Sequence, residues 1–125
     1  MGQPVDGIEK RKYPRRSFEA KVGVMIQGKY FVENAFELGE RGILFETEIA
    51  LKNNDNLLIS FVIPGGYVVM TRAQVRYCLN KGNKLRVGVE FINITFEDRR
   101  KVRDFIAQRN DSAQEQKFYT LQIKK

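Results

Sequence analysis

The stretch FEAKVGVMIQGKYFVENAF, residues 18–36, decides the fold. Phe18, Ala20, Val22, Val24 and Ile26 alternate with Glu19, Lys21, Gly23 and Met25. A period of two sends one set to each side of an extended chain, so residues 18–26 are predicted to form a half-buried strand. Gln27-Gly28-Lys29 supplies a hairpin turn, and Tyr30 to Phe36 the returning strand. The same pattern continues outward. Gly42 opens the short strand GILFETE, LKNNDN (51–56) is a polar loop, and LLISFVI (57–63) is a strand. Pro64-Gly65-Gly66 ends it as a turn, not a phosphate cradle. Tyr67, Val69, Thr71, Ala73, Val75 and Tyr77 share one face of a long strand over 67–78. After the turn NKGNK (80–84), Leu85, Val87, Val89 and Phe91 give the last strand its apolar face. Short strands with turn signals and no helix between them imply an antiparallel barrel or sandwich.

One helix follows. Thr95 can accept a free backbone N–H, and Asp98 stands three residues on, a start resembling a capping box. Val102, Phe105 and Ile106 recur at helical spacing and are predicted to pack on one end of the barrel. Asn110-Asp111-Ser112 is the expected stop. In QEQKFYTLQIKK (114–125), Tyr119, Leu121 and Ile123 alternate, which fits an edge strand, a second helix or a mobile tail.

At 125 residues, 42% of them hydrophobic and nine of them Phe, the chain suffices for one domain with a real core. It has no His, hence neither the commonest general base nor the commonest metal ligand. Its single Cys makes neither an internal disulfide nor a zinc site, and Cys78 reads as a small packing residue. No Walker loop or dinucleotide fingerprint occurs. The expectation is a non-enzyme with no catalytic residue, metal or cofactor. The polar N-terminus, the lack of a bilayer-length apolar run and Asp6 in place of a myristoylation Ser or Thr lead to the expectation of a cytoplasmic protein without membrane insertion.

The net charge of +7 is unevenly placed. Residues 1–16 carry five basic and two acidic side chains, residues 17–96 nine and eight, and residues 97–125 eight and five. Basic ends around a nearly neutral middle suit an anionic partner, although solvation alone explains charge at termini. The N-terminal cations concentrate in EKRKYPRRSF, residues 9–18, where Pro14 disfavours helix and biases Tyr13 toward extended backbone.

The order of these parts resembles the PilZ domain family, bacterial receptors for cyclic di-GMP, over roughly residues 9–109. Arg11-Lys12-Tyr13-Pro14-Arg15 matches the family's R-x-x-x-R. Glu37-Leu38-Gly39-Glu40-Arg41-Gly42 stands at the position of its [D/N]-x-S-x-x-G. Val87-Gly88-Val89-Glu90-Phe91 and the helix resemble its last strand and helix. The resemblance implies a mainly β fold, a six-stranded antiparallel split barrel with a C-terminal helix. The expected divisions are a flexible basic arm over 1–17, a barrel with its helix over 18–110, and a tail over 111–125.

The implied ligand is cyclic di-GMP, with Arg11, Arg15, Glu37, Gly39 and Gly42 as binding residues and Lys10, Arg16 and Arg41 as additions. Arg suits this ligand because its planar fork meets phosphate or the guanine O6/N7 edge in bidentate fashion and stacks on bases. Tyr13 can stack on a base or pack on the barrel. The second motif departs from the family: Glu37 keeps a carboxylate with an extra methylene, and Gly39 lacks the Ser hydroxyl. A second register beginning at Asn34 restores Asn and Gly but puts Phe36 where Ser belongs; the first is preferred because Gly42 then leads straight into ILFE. Arg72, Gln74 and Arg76, with Arg86 on the next strand, extend a phosphate-binding surface or, more simply, form a solvated sheet face.

Three readings follow. In the first, a receptor's arm orders on cyclic di-GMP and changes contacts with an unidentified protein partner. In the second, a degenerate adaptor binds proteins without the nucleotide. The third, a nucleic-acid-binding barrel, is disfavoured by the neutral middle. The expected state is a monomer or weak homodimer.

Overall fold

Alternation along each strand becomes an inside and an outside when the sheet closes on itself. A computed structural model describes residues 14–108. In chain order it contains β1 (Arg15–Ile26), β2 (Lys29–Gly39), β3 (Gly42–Thr47), β4 (Asn56–Ile63), β5 (Tyr67–Lys81), β6 (Lys84–Ile92) and α1 (Phe96–Ala107). All pairings are antiparallel, and the strands close a barrel in the order β1-β2-β3-β6-β5-β4. This is the six-stranded barrel with a C-terminal helix that the resemblance implies. No helix among the described residues is long and apolar enough to cross a membrane.

The β1–β2 hairpin turns at Gln27 and Gly28, both at positive φ (52° and 77°), the mirror-image turn whose twist matches the flanking strands. From there the ladder runs back to Ala20 opposite Ala35, shifts register by one residue, and ends with Arg15 opposite Gly39. The strand begins three residues before the alternation does, so the expected arm of residues 1–17 gives up Arg15, Arg16 and Ser17 to β1. Ladder bonds to β2 explain this: a strand end needs a paired backbone, not an apolar side chain. The remainder of that arm, residues 1–13, and the tail over 111–125 lie outside the described residues.

The other correction concerns β5. Tyr77, expected on the inward face, is 38% exposed. The register against β6 shifts between Val75 and Tyr77, and this bulge turns Arg76 and Tyr77 outward together. The Val75 N–H donates to the Asp55 carbonyl (2.9 Å), and its carbonyl accepts from the Asn54 N–H (2.8 Å). The β3–β4 connection is thereby pinned to the bulge. Leu51, read as part of a polar loop, is buried in the core beneath it. Cys78 is half-buried with its sulfur 3.5 Å from the Leu51 carbonyl, and desolvation pushes its thiol pKa up, which suits packing better than reactivity.

The helix starts where the capping residues place it: Thr95 Oγ1 accepts from the Asp98 N–H at 3.1 Å. Val102, Phe105 and Ile106 are buried. Phe105 meets Phe18 edge-on (centroids 5.6 Å apart), Phe18 meets Phe61 in the same way (5.8 Å), and Phe61 stacks on Phe91 (5.9 Å). One chain of rings therefore joins α1 to β1, β4 and β6, each contact worth about 0.5–1.5 kcal/mol beyond the area it buries. At the other end of the helix the Tyr67 hydroxyl donates to the Asp98 carboxylate at 2.6 Å.

Phe105→Ala is expected to lower unfolding stability by about 3–5 kcal/mol, the usual cost of emptying a buried aromatic site. Phe96→Ala, at a position 75% exposed, should stay within about 0.5 kcal/mol; urea denaturation of the two variants checks the contrast. The bond to Asp98, helped by its negative charge, raises the Tyr67 pKa to about 12. A folded-state pKa above the unfolded value means the contribution is whole below pH ~10 and is lost as pH rises through ~12. The stability difference between wild type and Tyr67→Phe should therefore be flat up to pH ~10 and shrink above it. Urea midpoints against pH, with absorbance at the phenolate band, measure this.

Candidate functional site

The hairpin register brings the two sequence motifs together. Arg15 sits directly across from Gly39 and Ser17 from Glu37. The Arg15 guanidinium lies 3.5 Å from the Glu37 carboxylate. Beyond Gly39 the chain reverses through Glu40 and Arg41 into Gly42, which pairs with Glu90 on β6. A Cβ at Gly42 would overlap the Val89 carbonyl, so only glycine allows this approach of β3 to β6. The Phe91 N–H donates to the Arg41 carbonyl at 2.8 Å and fixes the turn to the same strand.

The next element along is β5. Tyr77 pairs with Gly88, and its ring lies over the glycine so closely that a Cβ there would fall 2.5 Å from the ring. Arg76 meets Glu90 at 2.6 Å. The result is an open groove of about 300 Å³ lined by Arg15 and Glu37, by Gly39, Glu40, Arg41 and Gly42, and by Arg76, Tyr77, Gly88 and Glu90. Three guanidinium groups and an aromatic ring suit an anion joined to flat rings.

Of the sequence candidates, Arg15, Glu37, Gly39, Gly42 and Arg41 converge on this groove. Arg11 and Lys10 lie outside the described residues. Arg16 is directed to the helix: it donates to the Phe105 carbonyl at 2.8 Å, with its guanidinium 3.9 Å from that ring. Neighbouring residues on a strand face opposite ways, which separates Arg15 from Arg16. Asn34, the start of the alternative motif register, accepts from Lys21 at 2.7 Å away from the groove, which favours the register beginning at Glu37. Arg86 pairs with Glu46 (3.3 Å) and lies over Phe36, and Gln74 donates to Asn56 (3.4 Å); neither lines the groove.

The sequence reading missed Tyr77, Gly88 and Glu90, and it gave Arg76 to a solvated face. The bulge that turns Arg76 and Tyr77 outward has no local sequence signal. Gly88 had one, a glycine inside a strand, which often marks close approach of another group. Gly39 is not at positive φ, and a Cβ there would stand 3.2 Å from the Arg15 Cγ, a contact that a small shift of a flexible side chain relieves.

Comparison with known proteins bears on this arrangement. The family model of the PilZ domain matches residues 9–108. No curated protein sequence gives a significant match. Among solved structures, the Bacillus subtilis inhibitor of motility (MotI/DgrA) superposes with a TM-score of 0.75 at 16% identity, over 82% of this chain and 52% of that one. The PilZ domain with c-di-GMP of YcgR from Escherichia coli gives 0.67 at 17% identity, over 86% and 96%. The K. pneumonia MrkH–c-di-GMP complex gives 0.69 at 11%, over 85% and 55%. The chain thus spans about half the length of MotI and MrkH. At these identities the structural likeness speaks for the barrel alone, while the family match covers the motifs, the strands and the helix in one run: the chain belongs to the PilZ domain family.

Proposed function

We propose that this chain is a receptor for cyclic di-GMP and that the groove between the β1–β2 and β5–β6 hairpins is its binding site. The observation that carries the reading is the register that sets Arg15, the last residue of R-x-x-x-R, against Gly39 of the second motif. Residues 22 or more apart in sequence thus converge where the family's two ligand motifs must meet. In this reading Arg15 holds a phosphate or a guanine edge with its fork, and Gly39 and Gly42 line the barrel side of the site. Glu37 accepts from a guanine N–H, and Tyr77 offers a stacking face. Arg11, with Lys10 beside it, comes from the arm, which orders over the nucleotide and changes the face shown to a protein partner. The reading contains no catalytic step and needs no cofactor.

A second reading has an observation of its own. Glu37 already neutralises Arg15 at 3.5 Å, and Gly39 offers no hydroxyl. A nucleotide must displace that carboxylate, so a PilZ adaptor that recognises only proteins is the alternative.

Calorimetric titration separates the two. The receptor reading predicts saturable binding of cyclic di-GMP and none of GTP or single-stranded DNA. Loss of a charge-assisted bond in Arg15→Ala should weaken binding about 10- to 150-fold, and Gly39→Ser, which restores the missing hydroxyl, should tighten it about 2- to 10-fold. Absence of binding by both the wild type and Gly39→Ser would leave the adaptor reading.

A further inference from the structure

The two motifs that line the groove each have a neighbour that reaches the other way, to the helix. Beside Arg15 is Arg16, which donates to the Phe105 carbonyl at 2.8 Å and lies 3.9 Å from the Phe105 ring. The last turn of α1 has no basic residue of its own, so Arg16 supplies from β1 the cation that a helix C-terminus favours. Between Gly39 and Gly42 is Glu40, whose side chain is only 12% exposed. Its Oε2 lies 3.0 Å from the Arg103 Nε and 3.4 Å from the Arg99 Nε. Arg99 and Arg103 are four residues apart, where like charges on a helix repel, and the one carboxylate offsets that repulsion for both.

We propose that Glu40 and Arg16 are positioning residues through which α1 sets the spacing of the two motifs on the β1–β2 side of the groove, so that nucleotide in the groove is registered at the helix; this rests on the receptor reading above. Three features carry it. Arg15 and Arg16 are consecutive on one strand, so a move of the first that follows a ligand shifts the backbone of the second. Glu40 stands in the turn between Gly39 and Gly42, which is clamped to β6 through the Arg41 carbonyl and has little slack. Both tethers end on the same helix, one near its middle and one at its C-terminal turn. Coupling of this kind is reciprocal: whatever loosens the tether also weakens the ligand.

The test alters the helix and leaves every groove residue in place. Arg99→Gln/Arg103→Gln removes the helix side of the Glu40 tether, and Arg100→Gln, exposed on the same helix, is the control. In 15N-labelled wild type, cyclic di-GMP is expected to shift the amides of Gly39, Gly42 and Gly88, and also those of residues 99–106. In the double variant the groove shifts should persist, the helix shifts should fall to a third or less, and affinity should drop about 3- to 10-fold. Arg100→Gln should match wild type in both. Thermal unfolding of each variant keeps loss of fold apart from loss of coupling. Binding with a silent helix in wild type, or unchanged affinity and helix response in the double variant, would overturn the inference and leave the receptor reading standing. No groove shifts in wild type would overturn both.

Discussion

Register in the β1–β2 hairpin is the constraint on which the groove depends. The turn at Gln27-Gly28 sets the pairing as far as Ala20 opposite Ala35, and a one-residue shift between Ser17 and Ala20 then brings Arg15 opposite Gly39. A slip of one residue would invert every side chain on one strand and send Arg15 to the helix side and Arg16 to the groove. The slip is opposed by the inward set. Phe18, Val22 and Val24 are buried, and moving them outward would expose each at roughly 1.5–3 kcal/mol. The core thus enforces the geometry of the polar groove.

Close backbone approaches then shape the floor. Gly42 lets β3 lie against the Val89 carbonyl, and Gly88 leaves room for the Tyr77 ring over β6. These glycines stand at opposed needs, the first for strand pairing and the second for an aromatic side chain. Around them the charges are already matched: Arg15 with Glu37, Arg76 with Glu90, and Arg99 and Arg103 with Glu40. In the proposed reading a ligand anion exchanges partners within a preformed set of guanidinium groups. Such exchange favours planar, bidentate acceptors over a diffuse negative charge.

Much of this was legible in sequence because period-two alternation, turn residues and a helix cap are local signals. The strands, the Thr95 cap and the buried Val102, Phe105 and Ile106 follow from them. Gly42 also leads directly into β3, as the reading of GILFETE implies. What escaped was set by long-range backbone pairing. The bulge beyond Val75 is stabilised by carbonyl and N–H groups of Asn54 and Asp55, whose side chains carry no sign of it, and it alone moves Tyr77 from the expected core face to the groove. Leu51 hid in a polar stretch for the same reason. The division of labour between Arg15 and Arg16 was likewise invisible while both were read as part of an arm, because facing is defined only once a strand is assigned.

A crystal structure of the chain grown with cyclic di-GMP tests the central claim most directly. The account predicts nucleotide density in the groove, with the Arg15 guanidinium on a phosphate or guanine edge, the Glu37 carboxylate released from it, and a base against Tyr77. Nucleotide bound on another face of the barrel, or crystals of the unliganded chain with the Arg15–Glu37 pair intact at saturating ligand, would contradict it.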